Sequence, residues 1–208
     1  MRIPRTATVA IAGVTALAWL LAAAIAATDS AAALWGFIPA RFSGFVELSG
    51  AVPALLTPLS STLVHGGLFH VAFNLLMLVW CGSAVERVLG RGALLLLYGV
   101  GAYTAAIAQW FVDPASIVPV IGASGAISAV IGAFALSFGD ARAVTRSPRV
   151  NRLLNAAWLL AAWVVLQMMV GFLAGGRGLL LATPAHIGGF IAGLLLQRPL
   201  LLWRYRSA

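Results

Sequence analysis

The chain has 208 residues, of which 62% are hydrophobic and only 9% charged. An ordinary soluble domain carries roughly 25% charged and 45–50% apolar residues, so this composition argues against a water-soluble fold. The net charge is +8 and every basic residue is arginine, which in a soluble protein would suggest nucleic acid; in a membrane protein, topology explains such charge better.

A helix needs about 20 residues to cross about 30 Å of hydrocarbon. Six apolar runs qualify, at Ala7–Ala27, Leu68–Val85, Ala93–Val112, Val120–Phe138, Leu153–Leu173 and Ala182–Leu202. The expectation is therefore an all-α, polytopic bundle of six transmembrane helices forming one domain over residues 1–208, with a long first external loop at 28–67. The first run follows Arg2 and Arg5, and Ala24-Ile25-Ala26 resembles a signal-peptidase site. Its length of about 20 residues exceeds the 7–15 of a usual signal h-region, so it reads as a retained helix.

With the N-terminus in the cytoplasm, Arg2, Arg5, Arg87, Arg91, Arg142, Arg146, Arg149, Arg152, Arg198, Arg204 and Arg206 face the cytoplasm, and only Arg41 and Arg177 lie outside. This satisfies the positive-inside rule and makes both termini cytoplasmic. The Arg142–Arg152 segment reads as a topology anchor beside anionic lipid. Cys81 is the single cysteine, so a disulfide framework or a thiolate metal cluster is unavailable, and neither a metal nor another cofactor is expected.

The first connection carries Trp35, Phe37, Phe42 and Phe45 among three prolines. Aromatic side chains favour the headgroup region, so this loop either caps the bundle or takes part in substrate access. No internal repeat supports an inverted-repeat transporter. Small residues recur at four-residue spacing as Ser124, Ser128 and Gly132, as Gly125, Ala129 and Ala133, and as Gly189 with Gly193. Such rows let two backbones approach closely in lipid, making the fourth and sixth helices natural neighbours.

Ionisable groups inside a membrane are expensive, and His70 and His186 both fall inside expected spans. With the second, fourth and sixth helices running from outside to inside, Ser124 and His186 each lie roughly 6 Å below the outer edge of the core. His70 lies at similar depth, and Asn74 one turn further on projects from the same helix face. Taken singly, a serine in such a helix bonds its own backbone, and a histidine or asparagine joins helices. Four polar groups at one depth point instead to nucleophilic catalysis, with His186 as the base that takes the Ser124 proton.

Ser124 opens a helix, where backbone N–H groups lack intrahelical partners and can donate to an oxyanion, and His70 and Asn74 can supply further donors. Gly122 and Gly125 would let a substrate backbone approach. The carboxylates are Asp29, Glu47, Glu86, Asp113 and Asp140, and none falls mid-span beside His186, which favours a dyad over a triad. Asp113 sits in an external loop, from which it would orient an imidazole poorly. Glu86 reads as the partner of Arg87 and Arg91.

These residues resemble the rhomboid family of intramembrane serine proteases over nearly the whole chain. The resemblance rests on Phe37-Ile38-Pro39-Ala40-Arg41-Phe42, on His65-Gly66-Gly67-Leu68-Phe69-His70-Val71-Ala72-Phe73-Asn74, on Glu86 with Gly90-Arg91, on Gly122-Ala123-Ser124-Gly125-Ala126 and on Ala185-His186-Ile187-Gly188-Gly189. It implies a Ser124–His186 dyad, an oxyanion site of His70, Asn74 and the Ser124 amide, and water entering from the extracytoplasmic side. It further implies that single-span or multi-span membrane proteins are the substrates, that the fifth helix helps to admit them, and that His65 has a structural role. No nucleic-acid partner is implied, and the location is a cell membrane, a bacterial plasma membrane on this reading. One departure stands out. Many relatives carry an aromatic four positions after the nucleophile, packed on the catalytic histidine, where this chain has Ser128. Either Ser128 bonds His186 itself, or an aromatic such as Phe73 or Phe190 fills the space, with Gly189 supporting close packing.

Two other classes compete with a protease. A non-proteolytic client-binding relative would be expected to have lost Ser124 or His186, and both are intact. A small transporter would need polar groups on both sides of the midplane, where the first and third helices offer little beyond Thr15, Tyr103, Thr104 and Gln109.

Overall fold

The computed structural model describes residues 7–25, 27–138, 144–173 and 182–206. Arg2, Arg5, Ala26, Asp140, Arg142 and Arg177, which entered the topology and carboxylate arguments, lie outside the described residues.

Six principal helices follow one another: α1 (Ala7–Ala24), α2 (Leu68–Leu89), α3 (Arg91–Val112), α4 (Ser124–Phe138), α5 (Pro148–Leu173) and α6 (Thr183–Arg204). Among the described residues there is no strand, only one isolated antiparallel bridge between Phe37 and Val120. Five of the six helices are long and apolar enough to cross a membrane. The exception is α4, whose 15 residues extend only about 22 Å. Its first turn begins at Ser124 rather than Val120, because the Phe37 and Val120 backbones exchange hydrogen bonds of 3.0 and 2.8 Å and hold the approach to the helix extended. Hydropathy alone does not distinguish an apolar extended segment from an apolar turn of helix.

The shortest helix is also the most enclosed. Ile127, Ala129, Val130 and Ala133 of α4 are wholly buried, packed mainly against α3 and α6. Glycine sets that distance. A Cβ on Gly189 or Gly193 of α6 would run into the carbonyl oxygens of Gly125 and Ala129 respectively, and one on Gly132 of α4 into that of Phe190. The two small-residue rows therefore face each other with backbone against backbone.

The first connection is built rather than loose. It contains short helices at Thr28–Trp35, Pro39–Phe42 and Thr57–Ser60, and it is stitched to the α3–α4 connection by the Phe37–Val120 pair and by Ala40 N–H on the Ser116 carbonyl at 2.9 Å. At the far end of α2, Glu86 makes the ion pair expected for it, with Arg91, and has further partners. Its carboxylate accepts hydrogen bonds from Ala7 N–H, Thr8 N–H and the Thr8 hydroxyl at 2.6–2.9 Å, while Arg91 stands 3.8 Å away. Glu86 thus tethers the first turn of α1, where N–H groups lack helical acceptors and a negative charge is favoured.

Candidate active site

Ser124 is the first residue of α4 and His186 lies in the first turn of α6, and the glycine contacts bring these two helix starts together. His186 Nε2 stands 2.8 Å from Ser124 Oγ, with both side chains buried. That is hydrogen-bond distance for transfer of the hydroxyl proton to an imidazole. Asp113, the loop carboxylate weighed as a third member, accepts from Ala115 N–H at 3.2 Å. Beside the hydroxyl a cavity of about 30 Å³, lined by Gly122, Ser124, Ala126, Ser61 and His186 among others, has room for a water molecule.

Gly122 shapes the entrance to α4. Its φ of +111° lies where L side chains are strained, and its N–H bonds the Ser61 carbonyl at 3.0 Å. A Cβ here would also stand 2.7 Å from His70 Nε2 and 3.7 Å from Ser124 Oγ, so the absent side chain leaves room for the His70 ring beside the serine. Gly125 has a different neighbour. A Cβ there would come within 2.6 Å of Ala105, so this glycine fits α4 against α3.

Asn74 is fully buried one turn beyond His70, and its Nδ2 donates to the His70 carbonyl at 2.9 Å, leaving a second amide N–H. The N-terminal turn of α4 begins its helical ladder with Ile127 N–H on the Ala123 carbonyl, so the N–H groups of residues 124–126 precede the first intrahelical donor. The structure therefore brings together Ser124, His186 and His70 from three helices, with Asn74 bonded one turn beyond His70.

His65 joins this group from the first connection. It is buried, its ring lies edge-on to His70 at 4.9 Å, and its Nε2 accepts from Ala123 N–H at 3.3 Å. Burial, helped by the nearby His70, lowers its pKa from 6.5 to about 3, so the neutral acceptor form persists. The unfolded chain takes up a proton near pH 6.5 and the folded chain only near pH 3, so the stability that neutral His65 contributes is full above pH 6.5 and falls as pH drops towards 3. His65→Gln offers an amide oxygen to the same N–H without titrating. Equilibrium unfolding in detergent should therefore give the variant a shallower loss of stability than wild type between pH 6.5 and about pH 4.5. Equal slopes would mean that His65 does not titrate with folding.

The support expected for the imidazole takes another form. Ser128 Oγ does not bond His186. It donates to the Ser124 carbonyl at 2.7 Å and accepts from the indole N–H of Trp163 at 2.8 Å. Trp163, on α5, lies edge-on to the His186 ring at 6.3 Å and stacks on Phe73 at 5.7 Å. Of the two aromatics considered from sequence, Phe73 reaches the histidine only through this indole, and Phe190 belongs to the core beside Gly132. Trp163 is the neighbour that sequence reasoning missed.

The chain matches the Rhomboid domain over residues 52–203. It belongs to the rhomboid family. Rhomboid protease GluP of Bacillus subtilis is 34% identical over 139 residues, covering 67% of this chain and 24% of that protein. Rhomboid protease GlpG of Pectobacterium atrosepticum is 32% identical over 137 residues, covering 66% and 45%, and RHOMBOID-like protein 5 of Arabidopsis thaliana is 28% identical over 139 residues, covering 67% and 42%. The chain thus spans about a quarter to a half of the length of these curated relatives. Family membership and the apolar helices together make it a multi-pass membrane protein.

Proposed function

We propose that this rhomboid is an intramembrane serine endopeptidase that cuts transmembrane helices of other membrane proteins near their extracytoplasmic end, through a Ser124–His186 dyad. The observation that carries the proposal is the 2.8 Å contact between His186 Nε2 and Ser124 Oγ at two adjoining helix starts. His186 takes the hydroxyl proton while Ser124 Oγ attacks the scissile carbonyl carbon, giving a tetrahedral oxyanion. The Ser124 N–H, the His70 ring and the remaining Asn74 N–H are the donors for that oxyanion, each contributing about 2.7–4 kcal/mol to the transition state. His186 then returns the proton to the leaving amine nitrogen, leaving an acyl-serine. A water molecule attacks the ester, again losing its proton to His186, and the Ser124 hydroxyl is restored.

The test is to reconstitute the purified protein in liposomes with single-span test substrates and to map any cut. Cleavage near the extracytoplasmic end of the substrate helix is the expected result, at a position where Gly, Ala or Pro lets the backbone leave its helical bonds. A wild-type protein inactive on every test helix would favour the client-binding alternative.

In this reading six helices cross a cell membrane, with α4 as the short central crossing and both termini in the cytoplasm. Reporters fused after Ala208 and inserted between Arg142 and Arg152 should both read cytoplasm. An external C-terminus would remove the shared-depth argument for the site.

A further inference from the structure

Among the described residues, α5 is the least embedded of the four helices that follow the first connection at full membrane length. Only 11% of its apolar window is buried, against 39% for each of α2, α3 and α6. Its buried side chains include Asn151, Ala156, Trp163 and Gln167. Trp163 is the one that reaches the dyad. Its indole N–H is fixed on Ser128 Oγ, Ser128 is fixed in turn on the carbonyl of Ser124, one face stacks on Phe73, and its ring meets His186 at 70°. An edge-to-face contact at this separation restricts the tilt of an imidazole without competing for its nitrogens.

We propose that Trp163 is a positioning residue that holds the His186 ring in line with Ser124, its indole anchored through Ser128, so that alignment of the base depends on α5 being docked. The proposal rests on the dyad mechanism above. Ser128, too small to touch the imidazole usefully, serves as the hydrogen-bond post for a ring delivered from another helix. A base displaced by a fraction of an ångström takes the serine proton less well while substrate binding is little affected, so the consequence falls on kcat.

The test measures kcat and KM for liposome-reconstituted protein on a single-span substrate, and in parallel the rate at which a fluorophosphonate labels Ser124. Trp163→Ala should lower kcat and the labelling rate on the order of tenfold to a hundredfold, with KM changed by less than about threefold. Trp163→Phe keeps a ring against His186 and should recover most of that loss. Ser128→Ala removes the acceptor and should match Trp163→Phe, with the double variant no worse than either, because both delete one hydrogen bond. Unchanged or raised kcat in Trp163→Ala, or a Trp163→Phe no better than Trp163→Ala, would overturn the assignment. Should Trp163→Ala not fold, the Phe and Ser128 variants decide through the same comparison, additive losses counting against it. Ser124→Ala separates the two proposals. If it abolishes both signals while Trp163→Ala leaves them intact, the dyad stands and the positioning role fails; if wild type shows neither cleavage nor labelling that depends on His186, the dyad itself fails.

Discussion

Ser124→Ala is expected to abolish cleavage of every substrate helix while leaving the protein inserted, folded and able to bind substrate. The hydroxyl is small and its loss leaves little cavity, so stability should change by no more than about 1 kcal/mol, the usual net size of one hydrogen bond. Catalysis should fall by orders of magnitude, since no acyl-enzyme can form without the nucleophile. His186→Ala should do nearly the same, because the imidazole 2.8 Å from Ser124 Oγ is the base for both proton transfers. The double variant should be no worse than either single one, as expected for groups that act as a unit. Acidification should mimic His186→Ala reversibly, since an imidazolium has no lone pair to offer. Cleavage assays on matched proteoliposomes, with detergent unfolding alongside, give both readouts. Undiminished cleavage by Ser124→Ala would refute the mechanism.

The second large effect is expected from a single methyl group that touches no reacting atom. In Gly189→Ala the new Cβ meets the Gly125 carbonyl oxygen and stands 3.2 Å from Ser128 Cβ, and neither neighbour is a flexible side-chain end. The α4 and α6 backbones must separate or rotate. Overpacking of a filled core costs about 1–3 kcal/mol, occasionally more. The functional cost should be larger still, because His186 lies one turn from Gly189 on the same helix and Ser124 is adjacent to Gly125. Shifting one helix start against the other by about 1 Å can cost on the order of a hundredfold in rate. Gly99→Ala is the matched control: a Cβ there meets nothing within 4 Å, so stability and activity should be unchanged. Equal behaviour of the two variants would mean that α4 and α6 are not held at glycine distance.

The sequence by itself determined the helical membrane class, because hydropathy over a bilayer's length is a local property that needs no knowledge of neighbours. It also singled out the polar residues that the structure gathers, since Ser124, His186, His70 and Asn74 stand out against apolar spans. The adjacency of α4 and α6 was legible for the same reason, small residues at four-residue spacing marking a face on which backbones meet. The site's surroundings were decided elsewhere. Trp163 is one apolar residue among many in α5, and which neighbour its ring meets depends on the rotation and depth of that helix against α2 and α4. Glu86 pairs with nearby Arg91 as its sequence neighbours suggest, but nothing local shows that its carboxylate also holds a helix end 78 and 79 residues away. The extended lead into Ser124 is apolar enough to read as helix, and bonds to Phe37 and Ser61, across the length of α2 and α3, hold it open. Patterns that the bilayer imposes are written locally, whereas hydrogen bonds and ring contacts between elements distant in sequence exist only once the bundle has closed around them.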